Sequence, residues 1–126
     1  MSEKISSFQQ LRAWQAARSL AGEVYKITAA FPAEEKFGLT SQLRRSSVSV
    51  AANIAEGFSR NSARDKSNFY SMALGSLTET LSHLYIAHDL GLLRQEKLSQ
   101  LENRITDVQK MTNGLIKSAR SRTPYT

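Results

Sequence analysis

The 126-residue chain contains no cysteine, only two prolines and only two histidines. The lack of cysteine excludes disulfide bonds, thiolate zinc sites and cysteine nucleophiles. The longest stretch without a charge, residues 67–78, includes five Ser, Thr or Asn residues and is too short and too polar to span a membrane. No apolar segment follows Met1, so we expect no signal peptide and a cytoplasmic protein.

Motifs for catalysis or cofactor binding are also missing from the sequence. There is no P-loop, no Gly-x-Gly-x-x-Gly and no Gly-x-Ser-x-Gly motif. A helical bundle can hold two iron ions with paired Glu-x-x-His motifs, but the nearest arrangement here is Glu79 with His83 one turn later. We therefore predict a protein that is not an enzyme and that holds no metal and no cofactor.

Hydrophobic residues recur at three- and four-residue steps in four segments, which is typical of amphipathic helices. Pro32 ends the first segment, Ser62 and Asp65 form an N-terminal capping signal, and Gly91 ends the third segment. The predicted helices span about residues 8–30, 35–58, 63–90 and 95–119. Short connections favour antiparallel neighbours, so we predict an all-α, antiparallel up-down-up-down four-helix bundle, one domain over residues 1–126 with a frayed tail from 120.

Several residues do not fit inside a single bundle and point to self-association. Leu20 and Ile27 lie off the main stripe of the first helix, where they are expected to cover a neighbouring protomer. Gly22, Gly75 and Gly114 fall inside predicted helices, where glycine costs about 1 kcal/mol relative to alanine. Such glycines permit close approach of helices, either within the bundle or between subunits. These features predict a homo-oligomer.

The net charge of +6 is concentrated in two segments. Residues 36–66 contain six basic and two acidic residues, and the residues after Asp107 contain four basic and no acidic ones, so each segment carries +4. The rest of the chain then carries a net charge of −2. In an antiparallel bundle the second and fourth helices finish at the same end, so the two segments are expected to form one basic surface for a polyanion.

Polar residues embedded in the second helix have two interpretations. Gln42, Asn53 and Glu56, with Glu79 of the third helix, either make structural hydrogen bonds and ion pairs or contact a ligand, and the structural role is favoured. Arg44 and Arg45 project about 100° apart. We therefore expect at most one of them to pair inside the chain and the other to face solvent or a partner.

The aromatic residues favour phosphate contacts over stacking on bases. Most of them fall on the helical stripes, and only Tyr70 and Tyr125 lie among polar residues near charge. Proteins that bind single strands place exposed aromatic rings between basic residues. The predicted nucleic-acid contacts are therefore basic side chains: Arg44, Arg45, Arg60, Arg64, Lys66, Lys117, Arg120 and Arg122. A solvated basic face with no partner is the alternative.

Three motifs carry a resemblance to a known family. They are Leu11-x-x-Trp14-Gln15, the segment 37–57 with the sequence FGLTSQLRRSSVSVAANIAEG, and Ala73-x-Gly75-Ser76-x-x-Glu79. The chain resembles the four-helix-bundle family encoded in intervening sequences of 23S rRNA genes, which is similar to the accessory variability proteins of diversity-generating retroelements. It departs from the family at Ala51, where proline is common, at Ser46 and Ser47, and at Leu81, where a second glutamate is common.

The resemblance implies a bacterial cytoplasmic bundle, commonly a pentamer, with a basic surface that binds nucleic acid and no known catalytic activity. Together with the charge pattern, it leads to the hypothesis of a homo-oligomer that binds structured RNA or an RNA–DNA hybrid through phosphates. The alternative is a scaffold or accessory subunit that docks a protein partner such as a reverse transcriptase.

Overall fold

The computed structural model describes residues 4–121, and all regular structure in that range is helical. Four α-helices account for most of it: α1 spans Arg12–Thr28, α2 Leu39–Ser59, α3 Ala63–Asp89 and α4 Gln95–Ser121. Two short 3-10 helices, Phe8–Gln10 and Ala33–Glu35, precede α1 and α2. The prediction of an all-α bundle of four helices is confirmed. Helix α4 continues through residues 120 and 121, and the rest of the predicted tail lies outside the described residues.

Hydrogen bonds between α2 and α3 give the relative direction of these helices. Ser46 bonds Thr80 at 2.8 Å, with both side chains fully buried, and Ser49 bonds Ser76 at 3.0 Å. As the residue number rises along α2 it falls along α3, so the two helices are antiparallel. These hydroxyls satisfy each other inside the seam, where an unpaired hydroxyl would cost about 1–3 kcal/mol.

Helix α4 packs between α1 and α3 and is antiparallel to both. Arg104 donates to the Ser19 hydroxyl at 2.8 Å, and Lys97 lies 3.9 Å from Glu23, so α4 runs antiparallel to α1. Tyr85 of α3 donates to Glu102 of α4, and that carboxylate raises the pKa of the Tyr85 hydroxyl above its usual range. The N-terminus of α3 and the C-terminus of α4 therefore meet at one end of the bundle.

The buried residues of α4 recur at the three- and four-residue steps that the sequence analysis identified. Its six buried residues are Leu98, Leu101, Ile105, Val108, Thr112 and Ala119. Full burial of each large aliphatic side chain contributes roughly 1.5–3 kcal/mol. Thr112 is compatible with the core because its hydroxyl donates to the Val108 carbonyl oxygen at 2.7 Å.

Helix α1 differs from the prediction in its start and in its buried face. Leu11 is extended and 6% exposed, and it separates the 3-10 turn from α1 because its side chain enters the core. The expectation that Leu20 covers a neighbouring protomer is wrong, since Leu20 is fully buried within its own chain. The buried residues of α1 recur at three- and four-residue steps and are Ala13, Ala17, Leu20, Val24 and Thr28.

The connection between α1 and α2 shifts the predicted start of α2 from residue 35 to Leu39. Ala33–Glu35 forms a 3-10 turn after Pro32, and the Glu35 carboxylate then accepts from the Leu39 amide at 3.1 Å. That bond satisfies one of the backbone donors that a helix start leaves unpaired.

Gly57 allows a close approach of α2 and α3. A Cβ at Gly57 would lie 2.7 Å from the Tyr70 ring, so the glycine makes room for that ring. Tyr70 is 3% exposed, and its expected place among polar surface residues is wrong. Gly22, Gly75 and Gly114 have nothing within 4 Å of such a Cβ, so close packing within the bundle does not explain them.

Candidate nucleic-acid interface

A groove opens where the start of α3 meets the end of α4. Ser62 defines this start of α3, because its hydroxyl oxygen accepts from the Asp65 amide at 3.0 Å. The groove has a volume of about 740 Å³. We call it the basic groove, and its lining residues are Ala63, Arg64, Ser67, Asn68, Lys117, Arg120 and Ser121.

Among the described residues that line the basic groove, the charged ones are Arg64, Lys117 and Arg120, which are all cationic. Arg64 comes from α3, and Lys117 and Arg120 come from α4, where their three-residue spacing places them on one face. None of the described residues in the lining carries a carboxylate. Three positive charges around one concave site attract anions more strongly than the same charges spread over a surface.

Two uncharged polar residues of α3, Ser67 and Asn68, also line the basic groove. The Ser67 hydroxyl oxygen is buried and has no hydrogen-bond partner among the described residues. Asn68 is exposed. Sequence reasoning missed both residues, since neither stands out from the surrounding polar residues until α4 is placed against α3.

Arg60 and Lys66 lie at the same end of the bundle as the basic groove, but both contact α2 or the end of it. Arg60 pairs with Glu56 at 2.9 Å and stacks on Phe69 at 4.5 Å. The Lys66 ammonium donates to the Phe58 carbonyl oxygen at 2.7 Å, which satisfies an acceptor at the C-terminal end of α2. Both cations therefore help to hold the α2–α3 connection as well as adding positive charge beside the groove.

Arg44 packs against α1 and lies far along α2 from the basic groove. Its Nε donates to the Thr28 hydroxyl at 2.9 Å, and its guanidinium lies 4.5 Å from the centre of the Tyr25 ring. The side chain is half-buried. These contacts give Arg44 a packing role between α1 and α2.

Arg45 reaches the opposite neighbour, α3. Its guanidinium contacts Glu79 at 2.8 Å and Gln42 at 2.9 Å, and Glu79 also lies 3.3 Å from His83. The expectation that only one of the two adjacent arginines pairs inside the chain is therefore wrong. Because α2 lies between α1 and α3, the 100° separation directs Arg44 and Arg45 to opposite flanks, and each finds a partner there.

Asn53 and Glu56, the remaining polar residues of α2, have structural contacts within α2 or at its end. Asn53 donates to the carbonyl and hydroxyl oxygens of Ser49, both at 3.0 Å, so these bonds stay within α2, and Ser49 makes the link to Ser76. Glu56 pairs with Arg60, four residues later at the end of the same helix.

Two residues named in the sequence analysis, Arg122 and Tyr125, lie outside the described residues. Within residues 4–121, no group of three or more His, Asp or Glu side chains is placed to hold a metal ion. No helix in that range combines the length and the apolar character that a membrane span requires.

The model of the 23S rRNA-intervening sequence protein family matches residues 9–114. The chain belongs to this family. A crystal structure of a protein with unknown function from the S23 ribosomal protein family of Bacteroides thetaiotaomicron is similar in fold, with a TM-score of 0.77 and 24% sequence identity over 83% of this chain and 95% of that one. A comparison with curated proteins gave no match.

The family match covers only half of the basic groove. Arg64, Ser67 and Asn68 fall inside the matched residues, whereas Lys117 and Arg120 lie beyond residue 114. The paired arginines Arg44 and Arg45 are both inside it. The groove is therefore assembled from a segment that the family model covers and a segment that it does not.

Proposed function

We propose that this member of the 23S rRNA-intervening sequence family is a cytoplasmic, non-enzymatic homo-oligomer that binds structured RNA or an RNA–DNA hybrid through phosphates. The observation that carries the proposal is the basic groove, with three cationic side chains and no carboxylate among its described lining residues. The net charge of +6 adds long-range attraction for a polyanion. The family name supplies the link to ribosomal RNA.

Contacts of this kind are electrostatic and depend little on base sequence. Each phosphate that a protein neutralises releases counterions, so three contacts per subunit weaken binding about 40-fold between 50 and 200 mM salt. Arg60 and Lys66 beside the groove would make the dependence steeper.

A filter-retention assay tests the proposal directly. The probes are an RNA hairpin with a 5′-hydroxyl end and an RNA–DNA hybrid of equal length, each at 50 and 200 mM salt with micromolar protein. The groove variant is Arg64→Gln/Lys117→Gln/Arg120→Gln. The control variant is Lys26→Gln/Lys36→Gln/Arg94→Gln, which removes the same charge from exposed positions at the opposite end of the bundle.

We expect wild-type binding to be salt-sensitive, the groove variant to lose at least about 30-fold in affinity, and the salt slope to fall by about two to three. The control variant should lose less than about threefold. Absence of salt-sensitive retention of both probes would overturn the proposal, and equal losses in the two variants would remove the groove as its site.

Assembly is the second part of the proposal. A ring of subunits would repeat the basic groove around an axis and multiply its field. The family resemblance favours a pentamer, and the exposed helical glycines Gly22, Gly75 and Gly114 leave open surface that a neighbouring subunit could approach. Native mass spectrometry should give the mass of five chains, and a monomer at micromolar concentration would contradict this part.

A protein scaffold is the alternative function, and a different feature favours it. Phe37 is 88% exposed and Leu90 60% exposed, and both lie in connections at the end of the bundle away from the basic groove. Large apolar side chains in such positions are typical of protein contacts. A pull-down before and after nuclease treatment separates the functions: a partner protein that survives the nuclease favours the scaffold, and one that is lost favours direct RNA binding.

A further inference from the structure

The basic groove has the size of a site for one nucleotide and not for a duplex. Its volume of about 740 Å³ falls in the range of small-ligand sites, roughly 300–1,000 Å³. A double helix can only lie across the mouth of such a groove, whereas the end of a strand can enter it. The three cationic side chains around it would then act on a single phosphate group together.

The charge in the groove favours a phosphate at a strand end over one inside a strand. A phosphodiester carries a single negative charge, whereas a phosphomonoester carries about −1.5 to −2 at neutral pH because its second pKa is near 6. Arg64 approaches from α3, and Lys117 and Arg120 from α4, so the cations come from two sides. This arrangement neutralises a dianion better than a monoanion.

We infer that the basic groove binds the terminal phosphomonoester of an RNA strand, an inference that rests on the proposed RNA-binding function. The guanidinium groups of Arg64 and Arg120 and the Lys117 ammonium hold the phosphate oxygens. Asn68, exposed at the groove, can bond the ribose or base of the terminal nucleotide.

Ser67 supplies a further donor for this phosphate. Its hydroxyl is buried and has no partner among the described residues, so rotation of the side chain toward the groove breaks no hydrogen bond seen there. A phosphate oxygen would give the hydroxyl the acceptor it lacks. The variant Ser67→Ala removes this donor and leaves the three charges unchanged, so it is a sharper probe than a charge variant.

Fluorescence anisotropy with one RNA hairpin that has a short single-stranded extension tests the inference. The same sequence is prepared with a 5′-monophosphate, with a 3′-phosphate and with hydroxyls at both ends. We expect one phosphorylated form to bind about tenfold more tightly than the hydroxyl form. Ser67→Ala should reduce that preference at least threefold, the groove variant should abolish it, and Lys26→Gln/Lys36→Gln/Arg94→Gln should retain it.

The pH and competitor measurements complete the test. A phosphomonoester gains its second negative charge as the pH rises from about 5.5 to about 7.5, because its second pKa is near 6, whereas a hydroxyl end gains none. The preference should therefore grow over this range. Competition by inorganic phosphate as effective as that by the phosphorylated strand would overturn strand-end recognition in favour of a small-anion site.

The outcomes separate this inference from the proposed function. Equal, salt-sensitive binding of all three hairpins would overturn the inference and leave the proposed function standing. Absence of binding by any hairpin would overturn both. Binding of a phosphorylated form alone would support end recognition and contradict general binding of structured RNA.

Discussion

The two groups of basic residues in this protein have the same kind of side chain but different surroundings. The group that we call the α2 arginines consists of Arg44 and Arg45 of α2 and Arg60 directly after it, and each contacts an acidic, polar or aromatic group of the same chain. The groove cations, Arg64, Lys117 and Arg120, surround an open space with no carboxylate among its described lining residues. The α2 arginines therefore have packing contacts, whereas the groove cations are the ones for which we propose phosphate binding.

The difference arises from the position of each residue along its helix. Arg44 and Arg45 lie where α2 packs against α1 and α3, so their long side chains reach these helices and bind there. The groove cations project at the ends of α3 and α4, where the two helices leave a space between them. Cations that line such a space can meet an anion that enters it from solution.

The largest expected effect comes from removing three charges from one group or the other. The variant Arg44→Gln/Arg45→Gln/Arg60→Gln should lower the free energy of unfolding by about 3 kcal/mol, because it removes charge-assisted hydrogen bonds, ring contacts and ion pairs. The variant Arg64→Gln/Lys117→Gln, which removes two groove charges at exposed positions, should change it by less than about 1 kcal/mol. Urea unfolding measures both, alongside the RNA affinity.

The RNA affinity should depend more on the groove cations than on the α2 arginines. At equal net charge, the folded α2 variant should lose less RNA affinity than the groove variant, because only Arg60 of its three arginines lies beside the groove. Equal losses of affinity in both variants would break the distinction between the two groups.

Arg44 alone should account for most of the free energy of unfolding that the α2 variant loses. Arg44→Ala removes the bond to Thr28 and the stacking on Tyr25, which together are worth about 2 kcal/mol. Thermal unfolding followed by circular dichroism measures the loss. Arg44→Lys is the matched control, since it keeps the charge but not the planar donor group, and it should recover less than half of the loss. Full recovery by lysine would show that charge alone matters at this position.

Gly57→Ala sharpens the comparison at the connection between α2 and α3, near the basic groove. The new methyl group would overlap the buried Tyr70 ring at 2.7 Å and lie 3.2 Å from the Lys66 carbonyl oxygen. Overpacking of this kind outweighs the gain in helix propensity, and we expect a net loss of about 1–2 kcal/mol in urea unfolding.

Gly75→Ala is the control for that measurement. Gly75 is exposed, and a methyl group at this position would have nothing within 4 Å in its own chain, so the substitution should stabilise the subunit by up to about 1 kcal/mol. A loss of stability equal to that of Gly57→Ala would contradict the packing explanation. A drop in the oligomer fraction would instead place Gly75 in a subunit contact.

The smallest expected effect is at Arg45. Its ion pair with Glu79 is at the surface, with the Arg45 side chain 63% exposed, so Arg45→Gln should cost less than about 1 kcal/mol. A double-mutant cycle with Glu79→Gln measures the coupling. A coupling well above 1 kcal/mol would indicate that Gln42 and His83 act with the pair as one network.

The comparison of α4 with α1 shows which parts of the fold the sequence could predict. Large aliphatic residues in α4 recur on one face of a polar helix, so its buried residues follow directly from the spacing. Helix α1 has apolar or aromatic residues on several of its faces, including Trp14, Leu20 and Tyr25. Only the positions of α2 and α4 decide that Leu20 enters the core and that Tyr25 receives Arg44.

Charge and topology made part of the candidate site predictable from the sequence. The charge balance located the two basic segments, and antiparallel topology placed the ends of α2 and α4 together. The sequence did not distinguish Arg44 from Arg64, because both are arginines on polar helix positions beside apolar stripes. It also missed Ser67 and Asn68, which become relevant only through their place opposite Lys117 and Arg120.

By itself, the sequence determined that this protein is a helical bundle whose positive charge is concentrated in two segments, because helix periodicity, turn residues and charge are local properties of a chain. The tertiary structure decided which cations pack between helices and which surround a groove. That distinction depends on which helices become neighbours, and residues such as Arg64 and Arg120, far apart in sequence, come together only when the bundle is packed.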